Sequence, residues 1–161
     1  MTVQTVEKDL ANRTMVVTAE FDAPIERVWQ LWADPRKLER WWGPPTYPAQ
    51  VSEHNLTPGG RVAYAMTGPE GDRHHGYWEV VAVDPPHMLE VLDGFADSEG
   101  RPNPNLPTMT MRVALTAQGS GTRAVITSTF ATVEAMQTVI DMGVEEGLRS
   151  AMAQMDALLV E

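Results

Sequence analysis

The stretch that decides the fold is the last one, TVEAMQTVIDMGVEEGLRSAMAQMDALLV at residues 132–160. Charged side chains such as Asp141 and Arg149 share one side of this stretch. Apolar and small residues recur on another side at spacings of three or four, which is typical of one helical face, at Met136, Ile140, Gly143, Gly147, Ala151, Met155 and Leu158. With Thr132 as N-cap, the pattern predicts a single amphipathic helix of 28 residues, Val133 to Val160. Its apolar face requires a covering surface.

The segments before this helix supply that surface, because apolar and polar residues alternate there with the period of two that is typical of strands. Turn residues such as Thr57-Pro58-Gly59-Gly60 and Gln118-Gly119-Ser120-Gly121 separate them, and links this short favour antiparallel neighbours. Seven strands are predicted: Thr14 to Phe21, Tyr47 to Asn55, Arg61 to Thr67, His74 to Val83, Met88 to Phe95, Thr108 to Ala117 and Thr122 to Phe130.

Two short helices are predicted between the first and second strands. The first follows Asp22 and Pro24 and carries an apolar stripe at Ile25, Val28, Trp29 and Trp32. The second begins at Asp34-Pro35 and ends before the Gly43-Pro44-Pro45 turn. Residues before Thr14 are interpreted as a polar leader, and Ala96 to Pro107, with three prolines, as a long loop that serves as a lid or rim.

These elements predict one α+β domain over residues 1–161, with a core at about 14–160. In this fold an antiparallel sheet wraps around the long C-terminal helix. A cavity between the two is predicted to hold a small molecule.

Composition excludes several classes of partner. A net charge of −10 would repel nucleic acid and anionic membranes, so neither is expected as a partner. The absence of cysteine excludes disulfides and thiolate chemistry. No secretory leader and no apolar run of about 18 residues is found, which predicts a cytoplasmic protein.

The order of these elements, together with several short motifs, resembles the START-like or SRPBCC superfamily, which shares the Bet v 1-like helix-grip fold. Within it the chain is most similar to the branch that resembles the activator of the heat-shock protein 90 ATPase. The motifs span about residues 14–160 and include Phe21 to Trp29, Asp34 to Pro44, Pro58 to Arg61, Gly76 to Leu89, Gly121 to Arg123 and Gly147 to Leu159.

The resemblance implies a curved seven-stranded sheet that grips the last helix and leaves a cavity. It implies no single reaction, because relatives include lipid carriers, polyketide cyclases, hydrolase-like enzymes and co-chaperones. This chain has Gly147-Leu148 where a Trp commonly follows the glycine, so a differently shaped cavity is expected. Such activators also carry an additional N-terminal region, which argues against a chaperone partner here.

The candidate ligand-binding residues are large apolar side chains and two helical glycines. Aromatic rings suit the mouth of a pocket and methionines suit a cavity that adapts to varied guests. Gly143 and Gly147 indicate a close approach on one helical face, by a ligand or by a tightly packed strand. The predicted set is Trp41, Trp42, Tyr64, Met66, Tyr77, Trp78, Phe95, Met109, Met111, Met136, Ile140, Gly143 and Gly147.

Catalytic residues are not identified by the sequence. His74 and His75 are adjacent on a strand and therefore face opposite ways, which disfavours a metal site. Acid–base pairs of His54 with Glu53 or Glu90, or of His75 with Asp93, are left open. Nucleotide-binding motifs are absent, so no cofactor is predicted.

Three functions follow from this interpretation. The first is binding of a small hydrophobic or aromatic ligand, in a metabolic or stress-response role. The second is an enzyme of the cyclase or hydrolase type that uses the same cavity. The third is a protein-interaction module acting on a chaperone or another partner, and homodimerisation through exposed aromatic side chains or a sheet edge is also left open.

Overall fold

The computed structural model describes residues 3–160, which form one antiparallel sheet and five helices. The sheet lies in the order β1-β2-β8-β7-β6-β5-β4-β3, so consecutive strands from β3 to β8 are antiparallel neighbours, as predicted. Its strands are β1 (Val3–Asp9), β2 (Thr14–Phe21), β3 (Ala49–His54), β4 (Arg61–Thr67), β5 (Arg73–Asp84), β6 (Met88–Ala96), β7 (Met109–Gln118) and β8 (Gly121–Phe130).

The sheet has eight strands, so the prediction of seven is wrong. The additional strand is β1, which lies in the segment interpreted as a polar leader and pairs with β2 from Val3 opposite Ala19 to Asp9 opposite Thr14. Most of its described side chains are exposed; among them, only Val6 packs against the two apolar clusters of the core. Edge strands in proteins are commonly polar, which is why no alternation of apolar residues marked this one.

Helices α1 (Ile25–Ala33) and α2 (Pro35–Trp41) lie where the sequence predicted them. Asp34 ends the first and caps the second, because its carboxylate accepts a hydrogen bond from the Arg36 backbone N–H at 2.9 Å. The apolar stripe of α1 is buried against the sheet, and α2 buries Leu38 and Trp41. These two helices close one end of the inner face.

The C-terminal helix is divided into three, so the prediction of one continuous 28-residue helix is wrong. Its pieces are α3 (Val133–Asp141), α4 (Val144–Met152) and α5 (Met155–Leu159). The first break occurs at Gly143, whose φ of +84° is the left-handed conformation in which helices commonly end. Within residues 3–160, no helix is long and apolar enough to span a bilayer.

Two apolar clusters hold these helices against the sheet. The larger one joins α1, α2, α4 and α5 to the sheet and includes Trp32, Trp78 and Met152. The smaller one lies beneath α3 and consists of Met15, Met109, Phe130, Met136 and Val139. Leu148 on α4 packs against both, and an ion pair of 2.6 Å between Lys8 Nζ and Glu145 Oε1 ties β1 to the same helix.

Gly143→Ala is expected to destabilise the protein, because an L-residue with a side chain costs about 1–2 kcal/mol in the left-handed conformation. Gly147→Ala is the matched control: Gly147 lies inside α4, where alanine is favoured over glycine by roughly 0.5–1 kcal/mol, so this variant should unfold at a higher temperature than the wild type. Thermal and urea unfolding measure both. An equal effect of the two substitutions would contradict the left-handed break.

Candidate functional site: an inner cleft of aromatic side chains and one carboxyl group

The inner face of strands β4, β5 and β6 is identified by the core residues on it. Val62 is opposite Trp78, and Trp78 is opposite Asp93 on the next strand, so these three side chains share the face that the helices cover. Alternation along β4 and β6 places Tyr64, Met66 and Phe95 on the same face.

Burial along this face is uneven. Val62, Trp78, Leu89 and Val91 are 0% exposed, whereas the next inward-facing residues along β4 and β6 remain partly exposed. We name the space in front of these partly exposed residues the inner cleft, bounded on the sheet by Tyr64, Met66, Asp93 and Phe95 and at its closed end by Trp42. One end of the inner face is therefore completely covered by the helices, and the other end is only partly covered.

A chain of edge-to-face aromatic contacts forms the closed end of the inner cleft. Trp41 contacts Trp32 with ring centroids 5.1 Å apart, and Trp42 contacts Trp78 at 4.9 Å and Tyr64 at 5.9 Å. The sequence produces this chain by placing two tryptophans in succession at the end of α2. Trp41 turns into the core, where its Nε1 donates to the Leu31 carbonyl at 2.8 Å, and Trp42 reaches the sheet.

A carboxyl group lies among these rings. The Tyr64 hydroxyl donates a hydrogen bond of 3.3 Å to Asp93 Oδ1. Burial raises the pKa of Asp93 from 3.8 to about 7, and the bond from Tyr64 only partly opposes that effect. Burial, followed by the nearby carboxylate, raises the pKa of Tyr64 well above 10, so Tyr64 remains a donor. Near neutral pH the Asp93 carboxyl is thus a proton donor for part of the time and an acceptor for the rest.

Several donors at this end of the core lack acceptors. Among residues 3–160, the buried indole N–H groups of Trp32, Trp42 and Trp78 have no hydrogen-bond partner. The Trp42 N–H lies near the Tyr64 hydroxyl and partly opposes the rise of the Tyr64 pKa, although it is not within hydrogen-bond geometry. An unsatisfied buried donor typically costs about 1–3 kcal/mol, so this concentration is unusual for a purely structural core.

Helix α4 leaves open space at Gly147. Gly147 is one helical turn from the buried Ala151 and adjacent to Leu148, which packs on both clusters. In the described part of the chain, no atom outside the local helix backbone and the two neighbouring residues lies within 4 Å of where a Gly147 Cβ would sit. The alternative of a strand packed tightly on this glycine is therefore wrong.

The structure brings only part of the predicted binding set to the inner cleft. Trp42, Tyr64, Met66 and Phe95 border it, and Gly147 faces open space. Trp41, Trp78 and Met111 are in the larger core, while Met109, Met136 and Ile140 belong to the smaller cluster. Gly143 is exposed at the helix break. Tyr77 lies on the outer face, where its ring covers Gly94 and the Arg61 guanidinium is 5.5 Å from the ring centroid.

Asp93 is a functional candidate for which the sequence suggested a different partner from the one in the structure. The sequence left open a pair with His75, but His75 lies on the outer face and Asp93 on the inner one. The signal was present in the alternation of β6, where Val91, Asp93 and Phe95 share one face and put a carboxylate between two apolar residues.

Two other histidines have structural partners. His54 Nε2 lies 3.0 Å from the Trp32 carbonyl oxygen, and His74 is paired with Asp72 at 3.2 Å. No group of three or more His, Asp or Glu residues within residues 3–160 could hold a metal ion.

The long loop before β7 packs on the outer face. Its Gly100 carbonyl accepts a hydrogen bond from Arg61 Nη2, and Asp97 orders its first turn by accepting from the backbone N–H groups of Glu99 and Arg101. An outer cavity of about 260 Å³ lies there between the loop and the strands, lined by Ala63, Ala65, Arg73, His75 and Glu99 among others. The loop tip is thus on the face opposite to the inner cleft.

The fold and the cleft define an α+β protein whose C-terminal helices close over one face of an antiparallel sheet. The chain belongs to the family of activator of Hsp90 ATPase homolog 1-like proteins, whose family model matches residues 22–160. This result confirms the resemblance to the SRPBCC superfamily. None of the proteins of curated function matches the chain.

Solved structures of similar proteins have the same fold over nearly their whole length. Protein Ms6760 from Mycobacterium smegmatis is 54% identical, with 98% of this chain and 96% of that one covered and a TM-score of 0.91. A protein from Arthrobacter aurescens is 46% identical, with 99% and 92% covered and a TM-score of 0.95. A Staphylococcus epidermidis protein is 33% identical, with 97% and 93% covered and a TM-score of 0.84.

Asp93→Asn is expected to reduce the dependence of stability on pH. Because the pKa of Asp93 is about 7 in the folded protein, the folded state keeps a proton that the unfolded chain releases above about pH 4. The free energy of unfolding of the wild type should therefore fall as pH rises from 4 to 7, by about 2–4 kcal/mol, and this part of the decline should be missing in the variant. Urea unfolding at several pH values measures it.

Asp22→Asn serves as the control, since Asp22 is exposed. This variant should retain the pH dependence of the wild type. A wild-type decline that persists in Asp93→Asn would show that Asp93 is ionised at ordinary pH in the folded protein.

Proposed function

We propose that this protein binds a small apolar or aromatic molecule in the inner cleft, between strands β4 to β6 and helix α4. The observation that carries the proposal is the incomplete burial of inward-facing side chains. Tyr64, Met66 and Phe95 point toward the covering helices and yet remain partly exposed, in a chain that buries Val62 and Trp78 completely on the same face.

The energetics favour an apolar guest. Apolar surface removed from water contributes about 25 cal/mol per Å², so a molecule that covers these side chains gains affinity mainly from burial. Edge-to-face ring contacts at the closed end offer additional stabilisation of about 0.5–1.5 kcal/mol per pair to an aromatic guest. Open space over Gly147 allows the guest to lie against α4 without displacing a side chain.

A second candidate function, an enzyme that works on the bound molecule, is favoured by the Asp93–Tyr64 pair. Two ionisable groups lie within hydrogen-bond reach in an apolar surrounding, and the Asp93 pKa of about 7 matches the range in which a general acid or base is effective. The cyclase type of reaction would use this pair to move a proton on a ligand held by the rings. Binding is the step that both functions share.

The interaction function receives less support from the surface. Large exposed apolar residues in the described chain, Leu10, Val81 and Met142 among them, lie on different elements: the turn after β1, the middle of β5 and the α3–α4 junction. A docking surface for a protein partner is usually a contiguous apolar patch. We therefore propose a small molecule in the cytoplasm as the ligand.

Gly147→Leu is expected to weaken binding of a neutral fluorescent probe, N-phenyl-1-naphthylamine, at least tenfold. The added side chain would occupy the open space over α4, where it meets no atom within 4 Å in the described structure at its Cβ position. A fluorescence titration measures the dissociation constant, and ligand-induced stabilisation of about 2.7 kcal/mol at a hundredfold excess over that constant checks it independently.

Ala157→Leu is the matched control, because it adds the same side chain at an exposed position of α5. Its affinity for the probe should equal that of the wild type. Equal affinities for all three proteins would place the probe outside the inner cleft, and no binding by the wild type would count against a ligand-binding function.

A further inference from the structure

The outer face of the sheet carries a second concave site, on the side opposite to the inner cleft. The outer cavity of about 260 Å³ lies over β4, where the outward-facing side chains are the small Ala63 and Ala65. The two neighbouring strands place longer, polar side chains on either side of these alanines, namely Gln50 and Ser52 on β3 and Arg73 and His75 on β5. A strand of small residues between two strands of larger ones forms a trough in the sheet.

The loop after β6 closes one end of this trough and is fixed in place. Residues 98–100 line the cavity. The Asp97 carboxylate accepts hydrogen bonds from the backbone N–H groups of Glu99 at 2.9 Å and Arg101 at 3.0 Å, and Arg61 on β4 donates to a backbone carbonyl of the loop. Because bonds within the chain already hold this wall, a ligand would need to order little of it on binding.

Two basic side chains face the cavity. Arg73 and His75 are two positions apart on β5, so they lie on the same face of the sheet, and both line the cavity. Neither side chain has a hydrogen-bond or ion-pair partner among residues 3–160. The carboxylate of Glu99, which also lines the cavity, is paired with Arg101 Nη2 at 2.8 Å. The cavity therefore offers unpaired donors on one side, and the charge of its carboxylate is already balanced.

The chemistry of these groups suits an anion that also carries a hydroxyl group. A guanidinium has five N–H donors in a planar fork that matches the oxygens of a carboxylate or phosphate, and a His ring has at least one N–H in either protonation state. Across the trough, Ser52 Oγ donates to the Ala63 carbonyl at 3.3 Å, so its lone pairs can accept from a hydroxyl of a ligand. The volume lies below the usual range of about 300–1,000 Å³ for ligand pockets, which favours a small molecule.

We propose that the outer cavity binds a small hydroxylated organic anion, with its carboxylate or phosphate group held by Arg73 and His75 and a hydroxyl held by Ser52. This site is independent of the inner cleft, because the two lie on opposite faces of the sheet. The net charge of −10 does not prevent binding, since charges farther away than about 8 Å are largely screened at physiological salt. Contacts of this number and kind should give a dissociation constant of about 0.1–1 mM.

NMR titration of the full chain at constant ionic strength tests the site with three probes: glycerol 3-phosphate, glycerate and glycerol. Both anions should cause saturable shifts of backbone amide signals from residues that line the outer cavity, such as Ser52, Ala65 and His75, and glycerol should cause none. The tighter of the two anions identifies the group that the site prefers. Glycerol binding as tight as that of the anions, or no saturable shift with either anion, would overturn the proposal.

A charge-matched pair of variants locates the contact. Arg73→Gln should weaken binding of the preferred anion at least about tenfold, because it removes charge-assisted hydrogen bonds. Arg123→Gln removes the same charge from an exposed position on β8, three strands away from β5, and should bind like the wild type. Equal weakening in both variants would show that net charge governs binding and would overturn the site. Tm values verify folding.

The inner cleft provides a separate readout. Arg73→Gln should bind N-phenyl-1-naphthylamine with the affinity of the wild type, because Arg73 lies on the outer face. Loss of naphthylamine binding together with anion binding would contradict the independence of the two sites. Since each site has its own probe, a failure of the anion site is distinguishable from a failure of the proposed ligand-binding function.

Discussion

Complete burial of the tryptophan-rich end of the sheet is the constraint on which the rest of the structure depends. Trp32, Trp41 and Trp78 are 0% exposed, and fully burying a large apolar side chain is worth about 1.5–3 kcal/mol. Helices α1, α2 and α5 pack at that end, together with Ala151 and Met152 of α4. Helices α3 and α4 meet at the left-handed Gly143, and the inward side chains of β4 and β6 remain partly uncovered. The inner cleft therefore exists because most of the helices pack on the tryptophan-rich end of the sheet and leave the other end partly exposed.

The same end of the molecule carries polar groups that a core built only for stability would not contain. Asp93 could be replaced by an apolar residue without loss of any ion pair, and its burial lowers stability at neutral pH because the carboxyl has to keep a proton. The Asp93 carboxyl lies beside Tyr64 and two indole donors. A destabilising polar group in such a place is typical of a binding site, where stability is lower in exchange for recognition of a ligand. The two candidate functions differ only in whether that carboxyl orients the guest or also transfers a proton.

Local sequence patterns predicted those elements in which apolar and polar residues alternate or a capping residue marks the start. The period of two gave β2 and β4 at their observed bounds, and Asp34-Pro35 located the boundary between α1 and α2. β1 was missed because an exposed edge strand has no apolar alternation to detect. The helix break was missed because periodicity alone does not distinguish a glycine inside a helix from one that ends it, and Gly143 and Gly147 look alike in that respect. The cleft could be predicted only as a set of apolar residues. Which of them are fully buried and which border the cleft depends on how the helices pack on the sheet.

Strand β1 has a consequence for the association state of the chain. It covers the free side of β2, whose eight residues otherwise pair only with β8. If residues 3–9 were removed, a row of backbone amide and carbonyl groups on β2 would become available to the backbone of another molecule. A short polar segment at the beginning of the sheet thus shields the edge of β2 from pairing with a strand of another molecule.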